Sequence, residues 1–225
     1  MFSDQQVLEF ATINLKDGVA PTDHRLLPVF KQCMPEIVDA GGEHFRFLLD
    51  NPPNNGKQLL GMTGIWPTDE LHSKFLERGA LMPLLAGLGD LLTVKDVIYL
   101  KAPSLSQGQI EVLNNDVTSA LFQVDGTDRD EFEKLAQSVI VEKADKVLAE
   151  WNVTDQASFS KARDFCADII SPDQKQFQHG GTWGILVRDT DSELVEQIKN
   201  KAVGKFNTVA VSAWKGFDLE ANVEL

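Results

Sequence analysis

Two stretches of this chain read as diverged copies of one another, and a repeat constrains architecture before any single residue does. The first is Leu60-Gly61-Met62-Thr63-Gly64-Ile65-Trp66-Pro67-Thr68-Asp69-Glu70-Leu71. The second is Thr182-Trp183-Gly184-Ile185-Leu186-Val187-Arg188-Asp189-Thr190-Asp191-Ser192-Glu193-Leu194. Each is an apolar, small-residue run that ends in a Thr-Asp pair followed closely by Glu-Leu. A helix-patterned stretch comes next, and then a β-branched run, Thr93 to Leu100 and Thr208 to Trp214. The expected organisation is two modules, 1–103 and 104–225, within the 225 residues.

Local patterning supplies the element order. Val7 to Leu15 is apolar and β-branched and reads as a strand. A helix opens at Pro21-Thr22-Asp23 and runs to about Ala40, made irregular by Pro28 and Pro35. Glu43 to Asp50 and Lys57 to Trp66 form a hairpin around an Asn-Pro-Pro turn. Thr68 or Asp69 caps a helix reaching Arg78, Leu81 to Leu92 is a second helical piece, and Leu92 to Ala102 is a strand. This is the β-α-β-β-α-β order of a ferredoxin-like unit.

Pro103 to Gly108 has linker composition, after which the order returns with losses. Asp116 to Val124 is a strand, a helix runs from Thr127 or Asp128 to about Trp151, and Phe177 to Arg188 is a strand. Asp189 to Val203 is a helix and Asn207 to Phe217 a strand. The second strand of the unit has no counterpart, its place being taken by the helix-like Thr154 to Ile170. One such unit leaves a sheet face bare, whereas two with facing sheets bury those faces. The expected fold class is α+β, two ferredoxin-like repeats packed into an intrachain barrel.

Composition excludes several partners. A formal charge of −13 argues against nucleic acid and against an anionic membrane surface. No apolar run reaches bilayer-spanning length, and the start lacks the basic-then-apolar order of a secretory signal. Cys33 and Cys166, the two cysteines, fall in separate halves and read as buried thiols of a reduced, cytoplasmic compartment.

The first strand and the passage Gly64-Ile65-Trp66-Pro67-Thr68-Asp69-Glu70-Leu71 resemble the dimeric α+β barrel superfamily. That superfamily includes antibiotic-biosynthesis monooxygenase-type and stress-responsive proteins, and the chain looks most like its tandem fungal versions. The resemblance implies a small apolar ligand held between sheet and helices. It implies chemistry on aromatic, polyketide-like molecules without metal or flavin in some members, and haem cleavage in others. Asn14 and Trp66 match two positions of the haem-cleaving branch. His72 falls six residues after Trp66, earlier in the helix than that branch places its histidine.

Chemistry-bearing residues are few. His24, His44, His72 and His179 lack metal-site spacing, and there is no nucleophile elbow, Walker loop or dinucleotide fingerprint, so no metal or cofactor is expected. His44, Arg46 and Leu48 share one strand face. They either lie on an exposed sheet surface or line the barrel. In the second case His44 is a base, and Arg46 and Asn14 stabilise a developing oxyanion. Thr12 shares a face with Leu8, Phe10 and Asn14 and could hydrogen-bond the same ligand. Trp66 and Trp183 read as core or as pocket wall. His72 reads as solvent-facing or substrate-binding, and His179, before Gly180-Gly181, as part of a lid. The expected activity is oxygenation, cyclisation or isomerisation by proton abstraction; the rival is a barrel that binds a small molecule without turnover. A homodimer is compatible with either.

Overall fold

The computed structural model describes residues 5–53, 57–79, 88–102, 104–152 and 181–219. Its elements in chain order begin with β1 (Gln6–Leu15), α1 (Leu27–Asp39), β2 (Glu43–Asp50), β3 (Leu59–Trp66), α2 (Asp69–Arg78) and β4 (Leu92–Ala102). They continue with α3 (Gln107–Leu113), β5 (Val117–Gln123), α4 (Arg129–Ile140), β6 (Val147–Trp151), β7 (Thr182–Arg188), α5 (Glu193–Ala202) and β8 (Asn207–Phe217). The strands form one antiparallel sheet in the order β4-β1-β3-β2-β8-β5-β7-β6. An isolated bridge between Leu100 and Asn152 brings the two edges together, so the sheet curls into a nearly closed barrel.

Alternation along each strand decides what lies inside. Leu8, Phe10, Leu48, Ile98, Leu100, Val117, Leu186 and Trp214 fill the barrel core. The intervening residues face outward under helices. Val7, Phe45, Trp66 and Tyr99 pack beneath Ile37 of α1 and Phe75 of α2. Phe122, Trp183, Ile185 and Val187 pack beneath α4 and α5. Closure suits this sequence because both sheet faces are apolar, and a closed sheet also leaves no long edge unpaired.

Local signals explain the boundaries. The Thr68 hydroxyl accepts from Leu71 N at 3.2 Å and starts α2. Gly79 ends it in a left-handed conformation, φ 61°, that costs glycine little. Pro28 sits in the first turn of α1, where its missing N–H is not needed, and the preceding residues turn rather than coil into helix.

Three expectations are corrected. The apparent linker at 103–108 contains the start of α3: Ser106 and Gln109 form a reciprocal capping box. The helix expected to reach Trp151 ends at Ile140, and Val147–Trp151 is β6, paired with β7. Leu148, Ala149 and Glu150 are good helix formers, but pairing with an apolar neighbour overrides that preference. β6 is thus a strand that the sequence reading did not expect. Of the helical piece expected at Leu81 to Leu92, residues 81–87 lie outside the described residues and 88–91 form a turn leading into β4; the helix-like 154–170 and Cys166 also lie outside them. Cys33 is buried, which pushes its thiol up to about 11. Among the described residues no helix is long and apolar enough to cross a membrane.

Candidate functional site

The strongest concentration of buried ionisable chemistry lies on the outer face of the sheet beneath α2. β1 runs Val-Leu-Glu-Phe-Ala-Thr, so Glu9 shares the outward face with Val7 and is 8 % exposed. Trp66, the last residue of β3, donates its indole N–H to Glu9 Oε2 at 2.7 Å. His72, one turn into α2, is 1 % exposed and places Nε2 3.6 Å from the same oxygen. The His72 ring lies 4.9 Å from the Tyr99 ring and 5.2 Å from Trp66, whose other neighbours are Phe45 and Phe75. A carboxyl, an imidazole and an indole thus meet inside an aromatic shell.

Burial dominates the electrostatics. Removal from water pushes the Glu9 carboxyl up to about 7, opposed by the Trp66 hydrogen bond, which favours the ionised form. The same desolvation depresses His72 to about 4, opposed by the nearby Asp69 charge. The neutral pair is therefore favoured, with the proton on Glu9 and His72 a neutral imidazole. A carboxyl that titrates near neutrality within reach of a neutral imidazole can take and return a proton at physiological pH.

The residues singled out from sequence are distributed over several places. Trp66 and His72 come together, and His72 is buried where the plain reading had it facing solvent. Its side chain points down onto the sheet because α2 lies flat across β1 and β3. His44 is exposed: the β2–β3 register shifts between Glu43 and Arg46, and His44 sits in the bulge at φ 55°, turned away from the barrel. Arg46 is half-buried and donates Nη2 to the Asn115 carbonyl, while Nε has no acceptor among the described residues. Asn14 lies in an open groove of about 720 Å³ at one barrel end, with Lys16, Asp17, Lys57 and Asp90. Thr12 faces the barrel core. Trp183 packs against Phe132 at 5.3 Å under α4, remote from Trp66 in a separate core cluster. His179 lies outside the described residues. His44, Arg46 and Asn14 do not form one constellation.

Glu9 was missed, yet its signal was present. It is the one charged residue inside the run Val7 to Leu15, with apolar residues on both sides. Among the described residues no group of three His, Cys, Asp or Glu side chains could hold a metal ion.

A nearly closed antiparallel barrel of eight strands, carrying helices on its outer face, places this protein in the α+β barrel class of folds. Comparison of structures gives the same answer. A protein from Fusobacterium nucleatum named as a candidate monooxygenase superposes with a TM-score of 0.54 at 9% identity, over 95% of this chain and 93% of that one. A candidate chlorite dismutase superposes at 0.53 and 10% identity, over 97% of each chain. A tryptophan mutant of the chlorite dismutase of Candidatus Nitrospira defluvii reaches 0.55 at 10% identity, over 96% and 93%. Compared with protein-family models and with curated proteins, the sequence matches none. At these identities the likeness concerns the fold.

Proposed function

We propose that this protein is an enzyme that binds a hydrophobic, aromatic or polyketide-like molecule and moves a proton on it without bound metal or flavin. The observation that carries the reading is Glu9, a buried carboxyl near neutral pKa beside a neutral imidazole and inside an aromatic shell. Glu9 takes the base role first expected of His44. It removes a proton from a carbon or phenol acidified by a neighbouring carbonyl. The Trp66 N–H steadies the ionised carboxylate before transfer, and the proton then stays on Glu9 beside the neutral His72 imidazole. Enolate formation of this kind opens isomerisation, cyclisation or attack on dioxygen; a neighbour named as a candidate monooxygenase keeps the last in view.

We read the chain as two copies of one unit, 1–103 and 104–225, of the tandem type. The strand orders β4-β1-β3-β2 and β8-β5-β7-β6 correspond element by element. Lys95 bulges from β4 opposite Thr12 and Ile13, and residue 209 bulges from β8 opposite Leu121 and Phe122. Matching those bulges pairs Thr12 with Leu121 and Gly61 with Gly184, as the sequence repeat does. On the same match Glu9 corresponds to Thr118, Trp66 to Asp189 and His72 to the buried Val195. The unit therefore folds without an imidazole there, which supports a chemical role for His72.

The test is turnover of a panel of phenolic and polyketide-like aromatics. Glu9→Gln is expected to lower kcat about 10²- to 10⁴-fold with ligand affinity kept, and His44→Ala to leave it unchanged. Full turnover by Glu9→Gln would remove Glu9 from the mechanism. Binding without turnover by the native protein would establish the non-catalytic rival.

A further inference from the structure

An ion pair borders the cluster of Glu9, Trp66 and His72 on its β4 side. Lys101 lies two residues beyond Tyr99, so both side chains stand on the outward face of β4. The Lys101 ammonium reaches Asp69 Oδ2 at 3.0 Å, the two side chains being 15 % and 25 % exposed. Asp69 is the first residue of α2 and His72 follows it by three positions, which puts both on one side of the helix. In the β1–β4 register Tyr99 stands opposite Glu9, and Lys101 stands opposite Val7. Val7 in turn pairs with Trp66. The ion pair thus occupies the next row of the same sheet face.

Among the described residues, the titratable and charged groups facing Glu9 and His72 come from two elements. β4 brings the Tyr99 phenol and Lys101, and α2 brings Asp69. β2, β3 and α1 bring Phe45, Trp66 and Ile37, which carry no charge. The Asp69 carboxylate favours the protonated imidazole, and an ammonium 3.0 Å from that carboxylate offsets its field. Charges held this far out of water are screened only weakly, so the balance between them reaches the buried pair.

The fold does not require this pair. On the match of the two halves, Asp69 corresponds to Ser192 and His72 to Val195, while Lys101 corresponds to the exposed Lys215. Where the imidazole is missing, its acidic neighbour is missing too, and the lysine stands in solvent.

We propose that Lys101 and Asp69 are a positioning pair for this site, their balanced charges setting the potential in which Glu9 releases and takes up its proton. The inference rests on Glu9 as the group that moves the proton, and both residues act through Glu9 and His72. Without Asp69 the bare ammonium stabilises the Glu9 carboxylate and disfavours the imidazolium. Without Lys101 the bare carboxylate does the reverse. Without either, the potential returns close to that of the native protein.

The experiment is NMR titration of the Glu9 carboxyl and the His72 imidazole in the native protein, Asp69→Asn, Lys101→Met and the double variant. Asp69→Asn is expected to lower both midpoints by about 0.5–1 pH unit, and Lys101→Met to raise both by a similar amount. The double variant should return to the native midpoints. A pair that merely ties β4 to α2 gives no such reversal of sign. Unmoved midpoints, shifts of one sign in both single variants, or shifts that persist in the double variant would overturn the proposal. Should Lys101→Met fail to fold, Asp69→Asn decides alone, since a Glu9 midpoint that stays or rises contradicts the pair. The pH profile of kcat/KM on any substrate found should move in step with the Glu9 midpoint. Midpoints that shift as expected beneath an unmoved profile would uphold the pair and remove Glu9 from catalysis.

Discussion

At the scale of single residues, two carboxyls and one imidazole are ionisable groups held largely out of water, and each leaves a signature in pH. Glu9 rises from 4.5 to about 7 on folding, and Asp96 from 3.8 to about 6. A group that holds its proton more tightly when folded stabilises fully below its unfolded value and loses that contribution as pH climbs through the folded one. Unfolding free energy is therefore expected to fall between about pH 4.5 and pH 7. Glu9→Gln should remove on the order of 3 kcal/mol of that slope, measured by urea unfolding across the range. His72 works in the opposite direction. Lowered from 6.5 to about 4, it costs stability as pH falls through that window, and His72→Phe should flatten the acid limb. Glu9 was visible in the sequence as a charge inside an apolar strand, but what it meets was not. Its partners stand 57 and 63 residues away, on β3 and α2.

At the scale of elements, the strand ends and the α2 cap were largely legible. Leu92–Ala102 and Asn207–Phe217 fall where alternation and β-branching put them, and Thr68 caps α2 as its sequence implies. Thr68→Ala should cost about 1 kcal/mol, with the loss read in denaturant midpoint and the α2 amides exchanging faster. Gly64 makes a sharper demand. A Cβ there would enter the Phe45 ring, which closes the aromatic shell over Trp66. Gly64→Ala should cost about 1–3 kcal/mol and perturb Trp66 fluorescence. The elements that were missed share a cause. α3 was hidden by a Pro-Ser-Gly composition, and β6 by residues that favour helix in isolation. In both, a capping box or a neighbouring strand outweighs intrinsic preference.

At the scale of the molecule, closure governs what the chain can do. The sheet interior is built from both halves, with Phe10 packing edge-on to Trp214 at 5.4 Å and Leu8 sharing a core with Leu186. If the halves are copies of one unit, separately expressed 1–103 and 104–225 should each expose a bare apolar sheet. They should self-associate alone and recover one soluble heterodimer when co-expressed, as size exclusion and light scattering would show. A well-folded monomer from either half would contradict the two-copy reading.

By itself the sequence determined most of the strands and their boundaries, because these follow from periodicity and capping between residues close in the chain. Glu9 and Asp96 stand inside largely apolar strands, but their place in the core was not read from the sequence. Only the tertiary structure decided which charges face which groups. A one-residue bulge swings His44 into solvent, and the lie of α2 across β1 presses His72 onto Glu9. Barrel closure gathers Thr12, Asp96, Ser119 and Ser212 around one cavity. Each of these outcomes depends on register and packing between distant segments, and side-chain direction reverses with a single residue of slip.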